Sequence, residues 1–267
     1  MILSFIVPSF YPYSYKTQIK GANNLAPMQY SADELARIDA GESVFPHILG
    51  TDKMGRDIFV RTMYGARISL SIGFAAAAIN MVIGVLYGGI SGYVGGTTDI
   101  IMMRVVDILT GIPSLIYMIL IMMFLGNTIQ SILIAMCLTY WITTARMVRA
   151  QILTLREQDF ALAAKVCGLS KWQILIHHLI PNSMGSIIVT VTFLIPSAIF
   201  QEAFLSFLGI GIQVPKASWG TLANDAIEYL FSYPSSFHLT HINTLHTFSS
   251  ALYPCPIYYV FNSSRAT

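Results

Sequence analysis

Residues 69–91, SLSIGFAAAAINMVIGVLYGGIS, carry no charged side chain over a length that crosses a bilayer. A helix needs about 20 predominantly apolar residues to span the hydrocarbon core. A charge at mid-bilayer costs roughly 2.5–3.5 kcal/mol on insertion scales, so uncharged runs locate the spans. We therefore predict a transmembrane helix at 69–91.

The same criterion predicts three more spans. The uncharged run 108–145 is too long for one crossing and divides at the turn-like triplet Gly126-Asn127-Thr128. Proline has no backbone N–H, so Pro113 and Pro196 are expected to kink their helices. The predicted spans are about 105–125, 129–145 and 186–208.

The composition agrees with a membrane protein and excludes other classes. Of 267 residues, 55% are hydrophobic and 10% are charged, whereas an average soluble domain is about 25% charged. A net charge of +2 is too small for electrostatic binding to nucleic acid. The three cysteines form no spaced pair that would indicate a disulfide framework or a zinc site. We predict an all-α polytopic membrane protein with five to six transmembrane helices, four of which the sequence delimits.

The two ends of the chain are less regular. Residues 1–10 are apolar but about half the length of a crossing, which indicates a partial first span. Residues 11–68 carry nearly balanced charge and are expected to lie outside the cytoplasm, before the first complete span. The 235–267 tail is atypical and offers no span, and we expect the reading frame or gene to be altered near Pro234.

Basic residues in the 146–185 loop orient the chain. Lys and Arg are enriched in short cytoplasmic loops, and five basic residues outnumber two acidic ones here. The basic residues are Arg146, Arg149, Arg156, Lys165 and Lys171. We therefore place this loop in the cytoplasm.

The 146–185 loop also has a helical pattern. An apolar or small residue recurs at i, i+3, i+4 and i+7, which predicts one small-residue helix face; its members are Phe160, Ala163, Ala164 and Cys167. Gly168 follows as a helix-ending glycine, and Ser170 with Gln173 indicates a capping box. The second helix is expected to stop at Pro181. Such a hairpin either packs on the ends of the spans or docks a soluble partner.

Four ordered motifs carry a resemblance to a known family. DFALAAKVCG at 159–168, continuing to His178-Leu179-Ile180-Pro181-Asn182, resembles the EAA loop of ABC-importer permeases, although the acidic motif position falls on Leu162. Three other stretches resemble the dipeptide/oligopeptide/nickel branch. They are GTDKMGRD at 50–57, GYVGG at 92–96, and EAFLSFLG at 202–209 with Ser218-Trp219-Gly220. The resemblance covers roughly residues 50–226.

The resemblance implies a type I ABC-importer permease fold and a transport function. In this family the substrate passes between two permease subunits, after delivery by an extracytoplasmic binding protein. Two separate ATP-binding subunits drive the cycle through the EAA loop. For this chain it implies a permease core at 69–226, a multi-pass location in a prokaryotic cell membrane, and a coupling surface. The implied coupling residues are Phe160, Ala163, Ala164, Cys167 and Gly168.

No motif in the sequence supports catalysis or nucleotide binding by this chain. It has no Gly-Lys dipeptide, so a Walker A loop is absent and ATP hydrolysis is expected on another subunit. No cofactor and no catalytic residue are predicted. The adjacent His177 and His178 point about 100° apart on a helix, so no metal site is predicted. An ion-coupled secondary transporter is the alternative, with Asp107 and Glu202 as its available carboxylates.

Several polar residues have two interpretations. Arg104 and Asp107, at i and i+3, form a neutralising pair or belong to the substrate pathway. Glu202 pairs locally near the membrane edge or takes part in substrate passage. In the 11–68 segment, five charged residues either dock the binding protein or form a solvated mixed-charge surface. They are Asp52, Arg56, Asp57, Arg61 and Arg67.

Two questions stay open at this stage. Gly84, Gly88 and Gly92 form overlapping G-x-x-x-G patterns, which permit close helix packing within the chain or at a subunit interface. The cargo is a dipeptide, an oligopeptide, glutathione or nickel, because all four share these motifs within the family.

Overall fold

The structure, a computed structural model, describes residues 2–213 and 215–232. Within that range the regular structure is helical, apart from an isolated bridge between Thr51 and Asp57. The 235–267 tail lies outside the described residues. The elements are α1 Ile2–Phe10, α2 Ala32–Asp39, α3 Ile58–Val94, α4 Gly96–Thr110, α5 Ser114–Leu125, α6 Ile129–Thr139, α7 Trp141–Leu155, α8 Asp159–Val166, α9 Lys171–Ile174, a π turn Leu175–Leu179, α10 Ile180–Phe207 and α11 Trp219–Ser232.

Three continuous helical stretches are long and apolar enough to cross a membrane: Ile58–Val94, Ile129–Leu155 and Lys171–Phe207. The pair α4 and α5 makes a fourth crossing if it counts as one bent span. These helices extend beyond the predicted spans because hydropathy detects only the part of a helix that suits hydrocarbon. The first begins at Ile58 and the second ends at Leu155, both in polar sequence.

Proline breaks one of these helices and is accommodated in another. The predicted kink at Pro113 is confirmed, because α4 ends at Thr110, α5 begins at Ser114, and the two axes differ by 76°. Pro196, by contrast, lies inside α10, which continues through it.

The predicted helix stop at Pro181 is wrong. The chain continues from α9 into α10 through the π turn, in which Ile180 N–H donates to the Leu175 carbonyl. Wider π hydrogen bonding is a common way to insert a local irregularity without ending a helix. The side-chain amide of Asn182 then donates to the His178 carbonyl at 2.6 Å, and thus satisfies one of the acceptors near the proline.

The described residues divide into two compact units: those within 2–72 and 199–232 form the first, and residues 73–198 form the second. In the second unit α3 packs closely on α7 through its glycines. A Cβ at Gly84 would lie 2.6 Å from Thr144 Cβ, and one at Gly92 would lie 2.8 Å from the Arg149 carbonyl. A Cβ at Gly88 would meet the backbone of Ala145. The glycine pattern therefore serves contact within the chain.

Replacing Gly88 with alanine is expected to destabilise the protein by about 1–3 kcal/mol, as overpacking does. The added methyl group has no space, because the opposing atoms belong to the α7 backbone rather than to a flexible side chain. Thermal unfolding of the detergent-solubilised protein measures the loss.

Gly185→Ala is the matched control. Gly185 is also helical, within α10, and an added Cβ would meet nothing within 4 Å. Alanine there should stabilise the helix by up to about 1 kcal/mol. Equal effects of the two substitutions would contradict the α3–α7 packing.

Candidate functional site

The α8–α9 hairpin, residues 159–174, has strong local signals at its turn. Gly168 adopts φ +82°, a conformation that favours glycine. The N–H of Leu169 donates to the Ala164 carbonyl at 3.2 Å and closes the end of α8. The predicted capping box is confirmed, since Ser170 Oγ accepts from Gln173 N–H and the Gln173 side chain accepts from Ser170 N–H.

The small residues of α8 face in two directions. Ala161 and Ala164 are buried at 4% and 7% exposure and belong to a core cluster in the second unit. The other buried members of that cluster are Val148, Ile152, Ile174, Leu175, Leu179 and Ile187. Ala164 therefore lies on the inward face of α8, away from the exposed predicted residues. Those exposed residues are Phe160, Ala163, Cys167 and Gly168.

The outward surface of the hairpin is more apolar than the sequence pattern suggested. Val166 is 88% exposed, Trp172 is 55% exposed, and Leu162 is 49% exposed. Charged residues surround them, including the exposed Asp159 and Lys165. An exposed apolar patch rimmed by polar residues is typical of a protein–protein contact. Leu162 and Val166, spaced at i and i+4, were the available signal for this face.

Ion pairs fix the helices from which the hairpin extends. Arg149 of α7 binds Asp99 of α4 through two N–H groups, each at 2.5 Å. Ser91 Oγ at the end of α3 also donates to Asp99, and Arg156 donates to the Gly92 carbonyl at 2.9 Å. Sequence reasoning missed this network, because Asp99 and Arg149 are far apart in the chain.

In the first unit, four of the five charged residues considered for docking are buried. Asp52 accepts from Arg56 Nε at 2.6 Å and from Arg61 Nη1 at 2.5 Å. Arg61 Nη2 also reaches Asp225 at 3.1 Å. Asp57 is likewise buried. These side chains form internal ion pairs, so neither a solvated charged surface nor direct contact with a partner fits them.

Arg67, the fifth residue, is exposed. Its guanidinium carbon lies 5.5 Å from the centre of the Phe5 ring, at cation–π distance. It is therefore the one member of the set whose side chain is accessible on this chain.

His47 joins two acidic residues in the interior of the 11–57 segment. Its Nδ1 lies 2.8 Å from Asp57 Oδ2, and its Nε2 lies 3.1 Å from Glu34 Oε1. The Tyr13 ring stacks on the imidazole at 4.4 Å. Burial alone would lower the pKa of His47, but its hydrogen bonds and charge interactions with the two carboxylates raise that pKa above its ordinary value.

Glu202 has no exposure and pairs with hydroxyl groups. It accepts from Ser69 Oγ of α3 and from Ser206 Oγ of α10, both at 2.8 Å. Ser69 Oγ in turn accepts from the Trp219 N–H of α11 at 3.2 Å. The carboxylate thus connects three helices of the first unit and lines no cavity among those described.

The second unit contains a cavity of about 590 Å³. Its wall combines apolar side chains with hydroxyl groups and contains no charged residue. The lining residues are Leu109, Thr110, Ile112, Pro113, Ser114, Thr139, Tyr140, Ile142, Thr143, Val189, Thr190, Phe193, Leu194 and Ser197. The break at Gly111–Pro113, between α4 and α5, borders it, and so does Tyr140, the residue between α6 and α7.

The predicted Arg104–Asp107 pair lies one turn from this cavity. Arg104 Nη1 is 3.9 Å from Asp107 Oδ2, and both side chains are more than half exposed. Arg146 Nη2 is closer, at 3.1 Å from Asp107 Oδ1, and at the same distance donates to Thr110 Oγ1 of the cavity wall. The pair is therefore part of a three-residue cluster with one surplus positive charge.

Comparison with known proteins agrees with this architecture. Residues 81–237 match the family described as binding-protein-dependent transport system inner membrane component. The chain is 50% identical over 213 residues to the oligopeptide transport system permease protein OppC of Bacillus subtilis (strain 168), covering 78% of this chain and 70% of that protein. It is 44% identical over 231 residues to the dipeptide transport system permease protein DppC of the same organism, covering 86% and 67%.

Solved structures give the same fold. An inward-facing conformation of the MetNI methionine ABC transporter matches with a TM-score of 0.57 at 16% identity, covering 78% of this chain and 94% of that chain. An amino acid ABC transporter crystallised with histidines matches with a TM-score of 0.54 at 14% identity, covering 76% and 93%. At these identities the likeness concerns the fold alone. The family match and the curated relatives carry the assignment: this chain belongs to the binding-protein-dependent transport system inner membrane components and is a multi-pass permease subunit of an ABC importer, not an enzyme.

Proposed function

We propose that this chain forms half of the pathway by which an ATP-driven importer moves peptides across the cell membrane. The complex would contain a second permease subunit, two ATP-binding subunits and an extracytoplasmic binding protein. The observation that carries the coupling role is the exposed apolar surface of the α8–α9 hairpin, on a helix whose inward face is tightly packed. Peptide cargo is inferred from relatives named as oligopeptide and dipeptide permeases.

The hairpin suits mechanical coupling because its inward face is attached to long helices. Ala161 and Ala164 pack in one cluster with Ile152 of α7 and Ile187 of α10. Small side chains let helix backbones approach closely, and a packed core transmits displacement instead of absorbing it. A movement imposed on the hairpin would therefore reach both helices, which supports a switch between discrete arrangements of the permease.

The ion-coupled alternative lacks a suitable carboxylate. Glu202 is sealed between hydroxyl groups in the first unit. Asp107 is held by Arg146 and lies close to Arg104. A coupling site needs an acidic group that exchanges an ion along the pathway, and neither residue offers one.

We also propose that the 11–68 segment is an extracytoplasmic platform for the binding protein. Its buried ion pairs would preserve the shape of the platform, while Arg67 and other exposed groups make contact. This interpretation revises the docking set: Asp52, Arg56, Asp57 and Arg61 act as internal supports.

Ala163→Glu is expected to reduce co-purification of the ATP-binding subunit about tenfold or more, while the thermal stability of the permease is retained. Ala163 is exposed, so glutamate fits the isolated chain but places a charge in the apolar contact. A tenfold loss corresponds to about 1.4 kcal/mol, a modest cost for such a burial. Pull-down from detergent extracts, with thermal unfolding of the same samples, measures both effects.

Ala163→Ser and Ala164→Glu are the matched controls. Serine is small and neutral, so binding should stay near wild type. Glutamate at the buried Ala164 should lower thermal stability as well as binding, because it places an unpaired charge in the core cluster. Full retention of ATPase binding by the Ala163→Glu variant would exclude the proposed contact.

The 11–57 segment is expected to be most stable between about pH 5 and 6.5 and to loosen as the pH rises above that range. The pKa of His47 is higher in the folded protein than in the unfolded chain. Its contribution to folding stability is therefore complete below the unfolded pKa of about 6.5 and is lost as the pH rises through the folded pKa. Burial alone would raise the pKa of Glu34, but hydrogen bonds from Ser31 and the interaction with His47 lower it overall. The contribution of Glu34 to folding stability is therefore lost only in acidic solution. Hydrogen exchange, corrected for intrinsic rates, measures the protection.

His47→Gln should abolish this loss of hydrogen-exchange protection at higher pH, because the glutamine amide does not titrate. The α6 helix, which carries no acidic, basic or histidine residue, is the internal reference and should show no such change. Identical pH profiles for wild type and the His47→Gln variant would refute the role given to His47.

A further inference from the structure

We propose that the cavity in the second compact unit is a transit site that holds the backbone of a short peptide through uncharged hydrogen-bonding groups and disfavours a divalent cation. This inference rests on the proposed function and names the part of the cargo that the pathway recognises. At about 590 Å³ the cavity is within the range of small-molecule sites, about 300–1,000 Å³.

The wall offers hydrogen-bond acceptors for peptide N–H groups. Seven hydroxyl-bearing residues line it: Thr110, Ser114, Thr139, Tyr140, Thr143, Thr190 and Ser197. Three of these hydroxyls donate to a carbonyl of the preceding helical turn: Thr110 to Val106 at 2.9 Å, Thr190 to Ser186 at 3.0 Å, and Ser197 to Phe193 at 2.8 Å. Because the proton of each is used internally, lone pairs remain to accept from a ligand, although Thr110 already accepts one hydrogen bond from Arg146.

Thr139 gives the most direct indication of a ligand. Its Oγ1 is buried and has no hydrogen-bond partner among the described residues. A buried hydroxyl without a partner costs about 1–3 kcal/mol, which a ligand that hydrogen-bonds there would recover. Thr139 is the last residue of α6, next to the single residue Tyr140 that precedes α7 within the continuous helical stretch Ile129–Leu155.

The helix break between α4 and α5 supplies complementary backbone groups. Pro113 has no N–H, so the Leu109 carbonyl lacks its usual i+4 donor. Helix α5 begins at Ser114 without a side-chain cap, and the leading N–H groups of a helix have no intrahelical acceptor. A peptide backbone carries both donors and acceptors, and it therefore matches this wall better than a ligand with only one of them.

The charges around the cavity disfavour a metal cargo. Its lining contains no histidine, cysteine or carboxylate, the side chains that bind nickel. At its edge Arg104 and Arg146 outnumber Asp107. Moving a divalent ion into an uncharged wall beside excess positive charge incurs a large desolvation cost. The apolar part of the wall accepts varied side chains, so recognition would fall on the backbone common to all peptides.

The test uses the complete importer in proteoliposomes with its binding protein, and the probes are trialanine and an N-methylated trialanine that lacks backbone N–H donors. The variant combines Thr139→Val and Thr190→Val, which remove hydroxyls at nearly constant volume. We expect trialanine uptake per ATP hydrolysed to fall about three- to tenfold. Uptake of the N-methylated peptide, compared with wild type on the same probe, should be unchanged. Dividing the uptake by the variant by the uptake by the wild type, for the same peptide, removes the effect of the binding protein's own selectivity.

Thr154→Val is the matched control, because Thr154 also bonds to the preceding turn, at 3.3 Å from the Ala150 carbonyl, but is exposed and does not line the cavity. It should leave both uptakes unchanged. Equal loss for both probes, or no loss for either, would overturn the transit site while leaving the importer function intact. ATP-driven uptake of Ni²⁺ in preference to trialanine would overturn it as well. Absence of ATP-driven peptide uptake by the wild-type importer would overturn the proposed function itself.

Discussion

The close approach of α3 to α7 is the constraint on which the second compact unit depends. Side chains at Gly84, Gly88 and Gly92 would collide with α7, so the two helices lie nearly backbone to backbone. In a bilayer no hydrophobic effect drives helices together, and close van der Waals packing takes its place. The Asp99–Arg149 ion pair then holds α4 to the same helix. Because the α8–α9 hairpin follows α7 directly, this packing gives the proposed coupling surface a rigid base.

The first compact unit is held together by buried ion pairs. Asp52 with Arg56 and Arg61, and His47 with its two carboxylates, are ion pairs that only a folded segment can assemble. Buried pairs add little net stability relative to apolar packing, but removing one partner leaves a costly unpaired charge. Such clusters therefore specify one arrangement of a polar segment that has little apolar core. This supports the proposed platform, which would have to present a constant surface to the binding protein.

Local signals in the sequence predicted much of the fold. Charge-free runs predicted spans that overlap the long apolar helices of the structure, Gly126 and Gly168 marked turns, and Ser170 with Gln173 marked a helix start. These features depend on residues near one another in the chain. The direction of Ala164 and the burial of Asp52 depend on distant elements, so periodicity alone gave the wrong face for the first and an exposed location for the second. The π turn escaped prediction for a related reason, since a proline ends most helices and only the surrounding packing decides otherwise.

Weak, uncharged contacts suit the transit site that we propose in the cavity. A charged wall would hold the termini of a peptide strongly in a water-poor space, and slow release would limit the transport cycle. Hydroxyl groups exchange hydrogen bonds with water or cargo at a net gain of about 0.5–1.5 kcal/mol each. Several such contacts align a backbone without trapping it, while the apolar wall imposes no side-chain preference. Selection of cargo would then occur where the binding protein delivers it, and the permease would supply an oriented but permissive passage.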